Sequence, residues 1–384
     1  MELNTVTVNR KGAERWRNGH PWIFRSDILN TAEAQPGDLV RVVDHRKAPL
    51  GFAHYSASSQ IALRMLGRKD FSLRDRIRAA QAFRDRVVQD SNAYRLVHAE
   101  ADFLPGLTID RYGDQFTVQA LNQSMDRLLP EVTEILRDEY HPTAIIARND
   151  ASVRTLEELP RETKVIHGEV PGPAAIHMNG LRMEADLIHG QKTGVYLDQR
   201  ENYPAVAKWS RGRALDCFTS TGGFALHMAR NCSHVEAVDS SRAALDTAAR
   251  TAAANGIQNV SFREADVFEL LSNYSSARHT FDTVILDPPA FAKNRKQLDG
   301  AARGYKDINL RALRLLAPGG ILVTCSCSHH MSEAMLLETV AQAALDAGRT
   351  LRVLERRMQA SDHPVLLTVP ETLYLKLLIF EVTA

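Results

Sequence analysis

From about Asn202 onward the chain alternates between two rhythms. Short, largely apolar runs (RALDCF, HVEAVD, VSFREAD, FDTVILD and ILVTCS) are each followed by a stretch whose apolar residues recur at helical spacing: FALHMARN, SSRAALDTAARTAAANG, VFELLSNY, NLRALRLLAPGG and SEAMLLETVAQAALDAG. Strands alternating with helices build a parallel sheet covered on both faces. Two further β-rich runs, LRVLERRM and LYLKLLIFEV, close the chain with no helix between them. They are expected to pair as an antiparallel addition at one edge. The predicted class is α/β, a doubly wound seven-stranded Rossmann-like sheet.

The upstream pattern differs. To about Arg68 the runs LNTVTVN, DLVRVVD, PLGFAHY and IALRML are broken by turn residues such as Asn18, Gly19, Pro36, Gly37 and Asp38, which suits a small β-barrel. The stretch FSLRDRIRAAQAFRDRVV has helical spacing. It is followed by the extended pieces LPGLTIDRYGDQFTVQAL and PTAIIARND and a helix-like SVRTLEELPRE, and reads as a small α+β unit. Pro171, Gly172, Pro173 and Gly180 then interrupt the pattern. The expected domains are 1–70, 71–178 and 179–384. No fixed-period repeat or low-complexity tract is visible.

A chain of 384 residues suits two or three domains of ordinary size. A net charge of +1 neither demands nor excludes a nucleic-acid partner, so local patches must decide. No apolar run approaches the ~18 residues of a membrane span, and the N-terminus lacks the apolar core of a signal peptide. The expectation is therefore a cytoplasmic protein without a membrane partner. Cys217, Cys232, Cys325 and Cys327 lack the spacing of a secreted disulfide framework, which leaves catalysis, metal binding or packing for them. The loop RKGAERWRNGHPWIFR carries Arg10, Lys11, Arg15, Arg17 and Arg25 against Glu14, with Trp16, Trp22 and Phe24 interleaved. Cations beside stacking faces suit RNA, and a solvated loop whose tryptophans are core accounts for the same residues. Arg74, Arg76, Arg78, Arg84 and Arg86, and Lys293, Arg295 and Lys296, could hold phosphates, although Asp75 and Asp85 make the first set equally compatible with a salt-bridged helix.

In doubly wound sheets ligands sit at the carboxyl ends of the strands. The first of these strands ends at Asp216, Cys217 and Phe218 and runs into Thr219, Ser220, Thr221, Gly222 and Gly223, two glycines that let a ligand approach the backbone just before a helix. The full G-x-G-x-x-G pattern is absent, which argues against NAD or FAD. The second strand ends at Asp239, placed to accept two ribose hydroxyls, and the third at Asp266, placed to receive an adenine amino group; helix capping competes at both. The fourth ends in Asp287, Pro288 and Pro289, a tip made rigid by its prolines.

This combination resembles the class I S-adenosylmethionine-dependent methyltransferase fold. GQKTGVYLDQREN, LDCFTSTGGF, LDPPAFAKNRK and TCSCSHHM, in this order, resemble the RlmI-like family of bacterial 23S ribosomal RNA cytosine-C5 methyltransferases, and the likeness covers nearly the whole chain. It implies an N-terminal PUA domain, a central β-β-α-β-β type domain, S-adenosylmethionine as cofactor, and 23S ribosomal RNA or a large-subunit precursor as partner. The oligomeric state is left open, a homodimer included. The implied cofactor-binding residues are Thr193, Asp216, Phe218, Thr219, Ser220, Gly222, Asp239, Ser240, Asp266 and Asp287; the implied catalytic residues are Cys327 and Asp287. Three departures stand out: Ala99 and Phe103 where glycines are expected, Ser220 in place of a tyrosine or similar residue, and Pro289 and Ala290 where other cytosine-C5 RNA enzymes carry a second cysteine.

Carbon 5 of cytosine is a poor nucleophile until a thiolate adds at carbon 6, so this chemistry needs a cysteine at the carboxyl edge of the sheet. Cys327, in Ser326-Cys327-Ser328, is the expected nucleophile, and Cys325 a supporting or packing thiol on the same face if the strand continues. Asp287 is expected to hydrogen-bond the cytosine ring nitrogen or amine. Three readings compete. Cys325, Cys327, His329 and His330 could be metal ligands, although four such close neighbours rarely close a tetrahedron. The enzyme could methylate a base nitrogen, leaving the cysteines as structural thiols. Finally, the chain could be a silent ribosome-associated RNA-binding protein, which would need none of the acids at the strand ends.

Overall fold

A computed structural model describes residues 3–69, 72–190, 192–291 and 297–383. They form two compact units, the first comprising Met1–His177, Ala185–Leu197 and Ser361–Thr372, the second Met178–Glu184, Asp198–Ala360 and Leu373–Ala384. Both units are thus built from separated pieces of chain. Lys293, Arg295 and Lys296 lie outside the described residues.

In the first unit β1 (Thr5–Val8), β2 (Trp22–Phe24), β3 (Ile28–Asn30), β4 (Leu39–Val43), β5 (Pro49–Tyr55) and β6 (Ile61–Gly67) form one sheet in the order β2-β6-β5-β4-β1-β3. Val6, Val8, Ile23, Val40, Leu63 and Met65 meet in its core. The basic stretch expected as a loop is instead a helix, α1 (Arg10–Arg17), started by the Asn9 side chain accepting from Gly12 N. Several of its cations are engaged internally: Arg15 with Asp27 and Arg17 with Asp44. Arg25, just beyond β2, donates to the carbonyls of Ser56 and Ser59. Trp16 donates its indole N–H to the Leu50 carbonyl at 2.9 Å.

The same unit contains α2 (Leu73–Val87), β7 (Ala93–His98), β8 (Leu107–Tyr112), β9 (Gln115–Ala120), α3 (Gln123–Tyr140), β10 (Ala144–Asn149) and β11 (Glu162–Gly168), with sheet order β11-β10-β9-β8-β7. SVRTLEELPRE, expected to be helical, makes only a 3-10 turn over Ser152–Glu157 before entering β11. Helix α3 was not anticipated although Met125, Val132, Ile135 and Leu136 share its buried face; Pro130 sits inside it and hides the signal. Three of the α2 arginines are salt-bridged, to acids other than Asp75 and Asp85, and Arg76 donates to the carbonyls of Leu66 and Phe103. Arg74 and Arg78 pair with Glu139 on α3, and fully buried Arg84 pairs with Asp102.

Next in the chain come a hairpin of β12 (Ala174–Met178) and β13 (Leu181–Ala185), then helix α4 (Asn202–Trp209). The large sheet is made from β14 (Gly212–Cys217), β15 (Cys232–Asp239), β16 (Val260–Glu264), β17 (Phe281–Leu286), β18 (Leu316–Ser326), β19 (Leu351–Arg357) and β20 (Lys376–Val382). Between them run α5 (Gly223–Met228), α6 (Arg242–Ala254), α7 (Val267–Ser276), α8 (Leu298–Leu315) and α9 (Glu333–Asp346). The order is β16-β15-β14-β17-β18-β20-β19, with β14 to β18 mutually parallel and β20 antiparallel to both its neighbours. Leu215, Val284, Leu286 and Leu322 on the strands pack against Ile308, Leu313, Leu336 and Val340 on the helices, each such side chain contributing ~1.5–3 kcal/mol on burial. The chain reverses direction across the sheet between β14 and β17, and that switch point opens a crevice at their carboxyl ends. Among the described residues no helix is long and apolar enough to cross a membrane.

Candidate active site

The turn after β14 is set by its backbone. Phe218, Ser220 and Gly222 have φ of 64°, 51° and 83°, so every second residue is left-handed and the loop curls on itself. Gly222 satisfies that geometry without strain. Gly223 is glycine for a different reason from the close ligand approach expected: a Cβ there would lie 2.4 Å from Cζ of Tyr203. The Tyr203 ring, on α4, occupies that face of the turn and stacks 5.0 Å from His227.

Asp216 is fully buried at the end of β14. Its Oδ2 accepts from Thr219 Oγ1 at 2.6 Å and from Ala225 N at 3.0 Å, while Oδ1 has no hydrogen-bond partner. Burial pushes this carboxyl from 3.8 up to about 7, against the pull of the Thr219 hydrogen bond and with a further push from Asp287. Asp239, half-buried at the end of β15, accepts from Ser220 N and Ser241 N, both at 2.9 Å. The N-cap of α6 is Ser241, so Asp239 ties the glycine turn to the next loop rather than capping the helix. Ser240, beside it, is exposed. Asp266 is exposed two residues past β16 and does cap: it is the N-cap of α7 and accepts from Glu269 N at 3.0 Å. Thr193 lies in the first unit, where its hydroxyl donates to Asp110 at 2.5 Å and meets Tyr112 Oη at 2.9 Å.

At the neighbouring strand end, Asp287 N reaches the Cys217 carbonyl at 3.4 Å, which sets the D-P-P tip beside the glycine turn. Asp287 Oδ2 accepts from Gln199 Nε2 at 3.0 Å. Gln199 is itself held by Asn202 at 2.7 Å, and Asn202 by Arg357 of β19 at 2.9 Å. The Cys325 thiol also meets Asp287 and Gln199; burial and the Asp287 charge push its pKa well above the ordinary value, so it stays protonated.

Strand β18 ends at Ser326. Cys325 is therefore fully buried inside the strand whereas Cys327 is half-exposed just beyond it, so the two thiols differ in exposure. Cys217 and Cys232 are buried as well. Ser326 and Ser328 flank Cys327 inside the protein, and Tyr305 Oη on α8 meets Ser328 Oγ at 3.3 Å. A row of aromatic rings links the two halves of the site: Phe218 to Phe268 at 6.4 Å, Phe268 to Phe291 at 6.0 Å and Phe291 to Tyr305 at 4.7 Å. Among the described residues no group of three or more His, Cys, Asp or Glu is arranged to hold a metal ion.

The chain has counterparts among known proteins. Residues 158–380 match the S-adenosylmethionine-dependent methyltransferase family and residues 6–68 a PUA-like domain. A ribosomal RNA large subunit methyltransferase I from Shewanella frigidimarina is 43% identical over 94% of this chain and 95% of its own length. The chain belongs to the ribosomal RNA large subunit methyltransferase I family. Another member, from Aeromonas salmonicida, is 44% identical over 93% of this chain and 94% of its own. Among solved structures, a protein described as a methyltransferase and crystallised with S-adenosylhomocysteine superposes with a TM-score of 0.85 at 20% identity, covering 99% of this chain and all of the other. Membership in the methyltransferase I family makes S-adenosylmethionine the cofactor.

Asp216, Asp239, Asp287 and Cys327, singled out in the sequence, stand at or just past the ends of β14, β15, β17 and β18; Gln199, Asn202, Phe268, Tyr305 and Lys376, whose ammonium donates to the Ser328 carbonyl at 2.7 Å, were not singled out individually. Gln199 and Asn202 stand in the quoted LDQREN motif. Phe268, Tyr305 and Lys376 are ordinary helix or strand residues in one dimension, and nothing in their sequence context marks them.

Proposed function

We propose that the chain forms 5-methylcytosine in 23S ribosomal RNA, with Cys327 as the nucleophile. The observation that carries this reading is the difference between the thiols: Cys327 is the half-exposed one, just past β18, and Cys217, Cys232 and Cys325 are buried. The names of the 43% identical relatives and the PUA-like segment support ribosomal RNA as substrate.

The residues present fit S-adenosylmethionine. Asp216 has a buried oxygen without a partner, which a donor on the cofactor would satisfy. Phe218, Thr219, Ser220 and Gly222 form the turn that would hold it, with Asp239 and Ser240 at the next strand end and Asp266 beyond them. When bound, the cofactor supplies an electrophilic methyl group. The Cys327 thiolate adds to carbon 6 of a flipped cytosine, making carbon 5 nucleophilic toward that methyl. Loss of the carbon 5 proton then expels Cys327 and restores the ring. Asp287, fixed by Gln199 and the Cys325 thiol, accepts a hydrogen bond from the cytosine amine or protonated ring nitrogen. Thr193 is engaged by Asp110 and Tyr112 within the first unit.

The test is mass spectrometry of protein incubated with 5-fluorocytosine-substituted ribosomal RNA and S-adenosylmethionine. Fluorine at carbon 5 cannot leave as a proton, so a covalent adduct accumulates in the wild type and is absent in Cys327→Ala. An adduct that persists in Cys327→Ala and is lost in Cys325→Ala would move the nucleophile. No adduct, together with methyl transfer that survives both substitutions, would overturn the mechanism in favour of a base nitrogen.

A further inference from the structure

A thiol attacks as its thiolate, so the reading above requires something near Cys327 to favour the charged form. The carboxylates nearby do the opposite: Asp287 lies at the adjoining strand tip, where its charge acts on Tyr305 and Cys325. Glu333 on α9 is a second negative group, engaged by Arg356. Tyr305 on α8 is neutral and held up by burial, and the Cys325 thiol is protonated.

One cation enters this setting from β20. Lys376 is its first residue and lies opposite Ser326 in the β18–β20 ladder. The side chain is 6% exposed. Its ammonium donates to the Ser328 carbonyl at 2.7 Å and the Tyr374 carbonyl at 2.9 Å. The same Ser328 carbonyl receives Met331 N at 3.1 Å, so Lys376 grips the turn that follows Cys327 directly. Two of the three ammonium N–H groups are thus occupied by neutral acceptors, and among the described residues no carboxylate lies within ion-pair distance of Lys376. A buried ammonium without an anion is costly, by several kcal/mol after relaxation. A negative sulfur one residue from Ser328 would remove that cost, and the lysine would remove the cost of the thiolate.

We propose that Lys376 is the positioning residue of the nucleophile: its ammonium, fixed by the Ser328 and Tyr374 carbonyls, is the counter-charge that keeps Cys327 as a thiolate. This rests on Cys327 being the attacking group. Burial lowers the Lys376 pKa from 10.5 to about 8, with Cys327 and Glu333 pulling it back up, so the cation is present at neutral pH and is lost as pH rises past about 8. Lys376 and Cys327 titrate as a coupled pair, and the ion pair exists between the thiol's lowered pKa and that limit.

The experiment follows alkylation of the folded full-length chain by iodoacetamide across a pH series, with the Cys327 peptide quantified by mass spectrometry. It needs neither RNA nor cofactor, so its outcome is separate from that of the adduct assay. In the wild type the Cys327 midpoint is expected at least one pH unit below the ordinary thiol value of ~8.5. Lys376→Met raises that midpoint and slows alkylation about tenfold at neutral pH, as one pKa unit implies. Lys376→Arg, which keeps the charge, leaves the midpoint low. A wild-type midpoint at or above the ordinary thiol value overturns the proposal without any variant, including when Lys376→Met does not fold. So does a rate change in Lys376→Met equal at every pH, the mark of a merely structural role, or a midpoint raised as far by arginine as by methionine.

Discussion

Asp216 shows how one residue's setting becomes a measurable property. Its folded-state pKa of about 7 lies above the unfolded value of 3.8 because burial disfavours the charge. Between those values the folded chain keeps a proton that the unfolded chain has lost, so this group makes the apoprotein less stable as pH rises from about 4 to about 7, and no further above that. Asp216→Asn keeps an acceptor for Thr219 and Ala225 and removes the titration. The stability advantage of the variant over wild type, read from urea unfolding, is expected to grow across that window by at most about 1.4 kcal/mol per pH unit and then level off. An advantage independent of pH would mean that Asp216 does not bury a charge. Ala99 and Phe103 make the complementary point: the glycines expected there are explained by φ values of 43° and 58°. At both positions a non-glycine residue carries a left-handed backbone.

At the level of elements, the site depends on segments that sequence order separates. Asp287 ends β17, yet its orientation comes through Gln199 and Asn202 from Arg357 on β19. A hydrogen bond to a charged group is worth ~1.5–3 kcal/mol, so Gln199→Ala is expected to lower kcat about tenfold to a hundredfold. The affinity for S-adenosylmethionine should stay the same, and single-turnover methylation with an independent binding titration checks both. An equal loss in cofactor binding would place Gln199 in the cofactor site instead. The arrangement of β20 is the other element-level feature. Running antiparallel between β18 and β19, it brings its first residue, Lys376, to the end of β18 where Cys327 stands.

For the whole molecule, the division into two units predicts two unfolding events. Differential scanning calorimetry is expected to resolve two transitions, with S-adenosylmethionine raising the temperature of one. At about 100 times Kd the ligand adds ~2.7 kcal/mol to the state that binds it. A single transition that shifts as a whole would show that the units unfold as one cooperative body.

The sheet class, the seven strands and their antiparallel closing pair were legible because apolar period and length are local properties of the chain. So was the placement of Asp216, Asp239, Asp287 and Cys327 at or just past strand ends, because strand boundaries are read from the same local pattern. Helix α1 and helix α3 were missed because charge in one and Pro130 in the other mask helical spacing until packing supplies a face. The inequality of Cys325 and Cys327, the partners of the α2 arginines and the place of Lys376 were decided only by tertiary structure. Each depends on which side chains distant in sequence are brought within a few ångströms, and burial and charge then set what each group does.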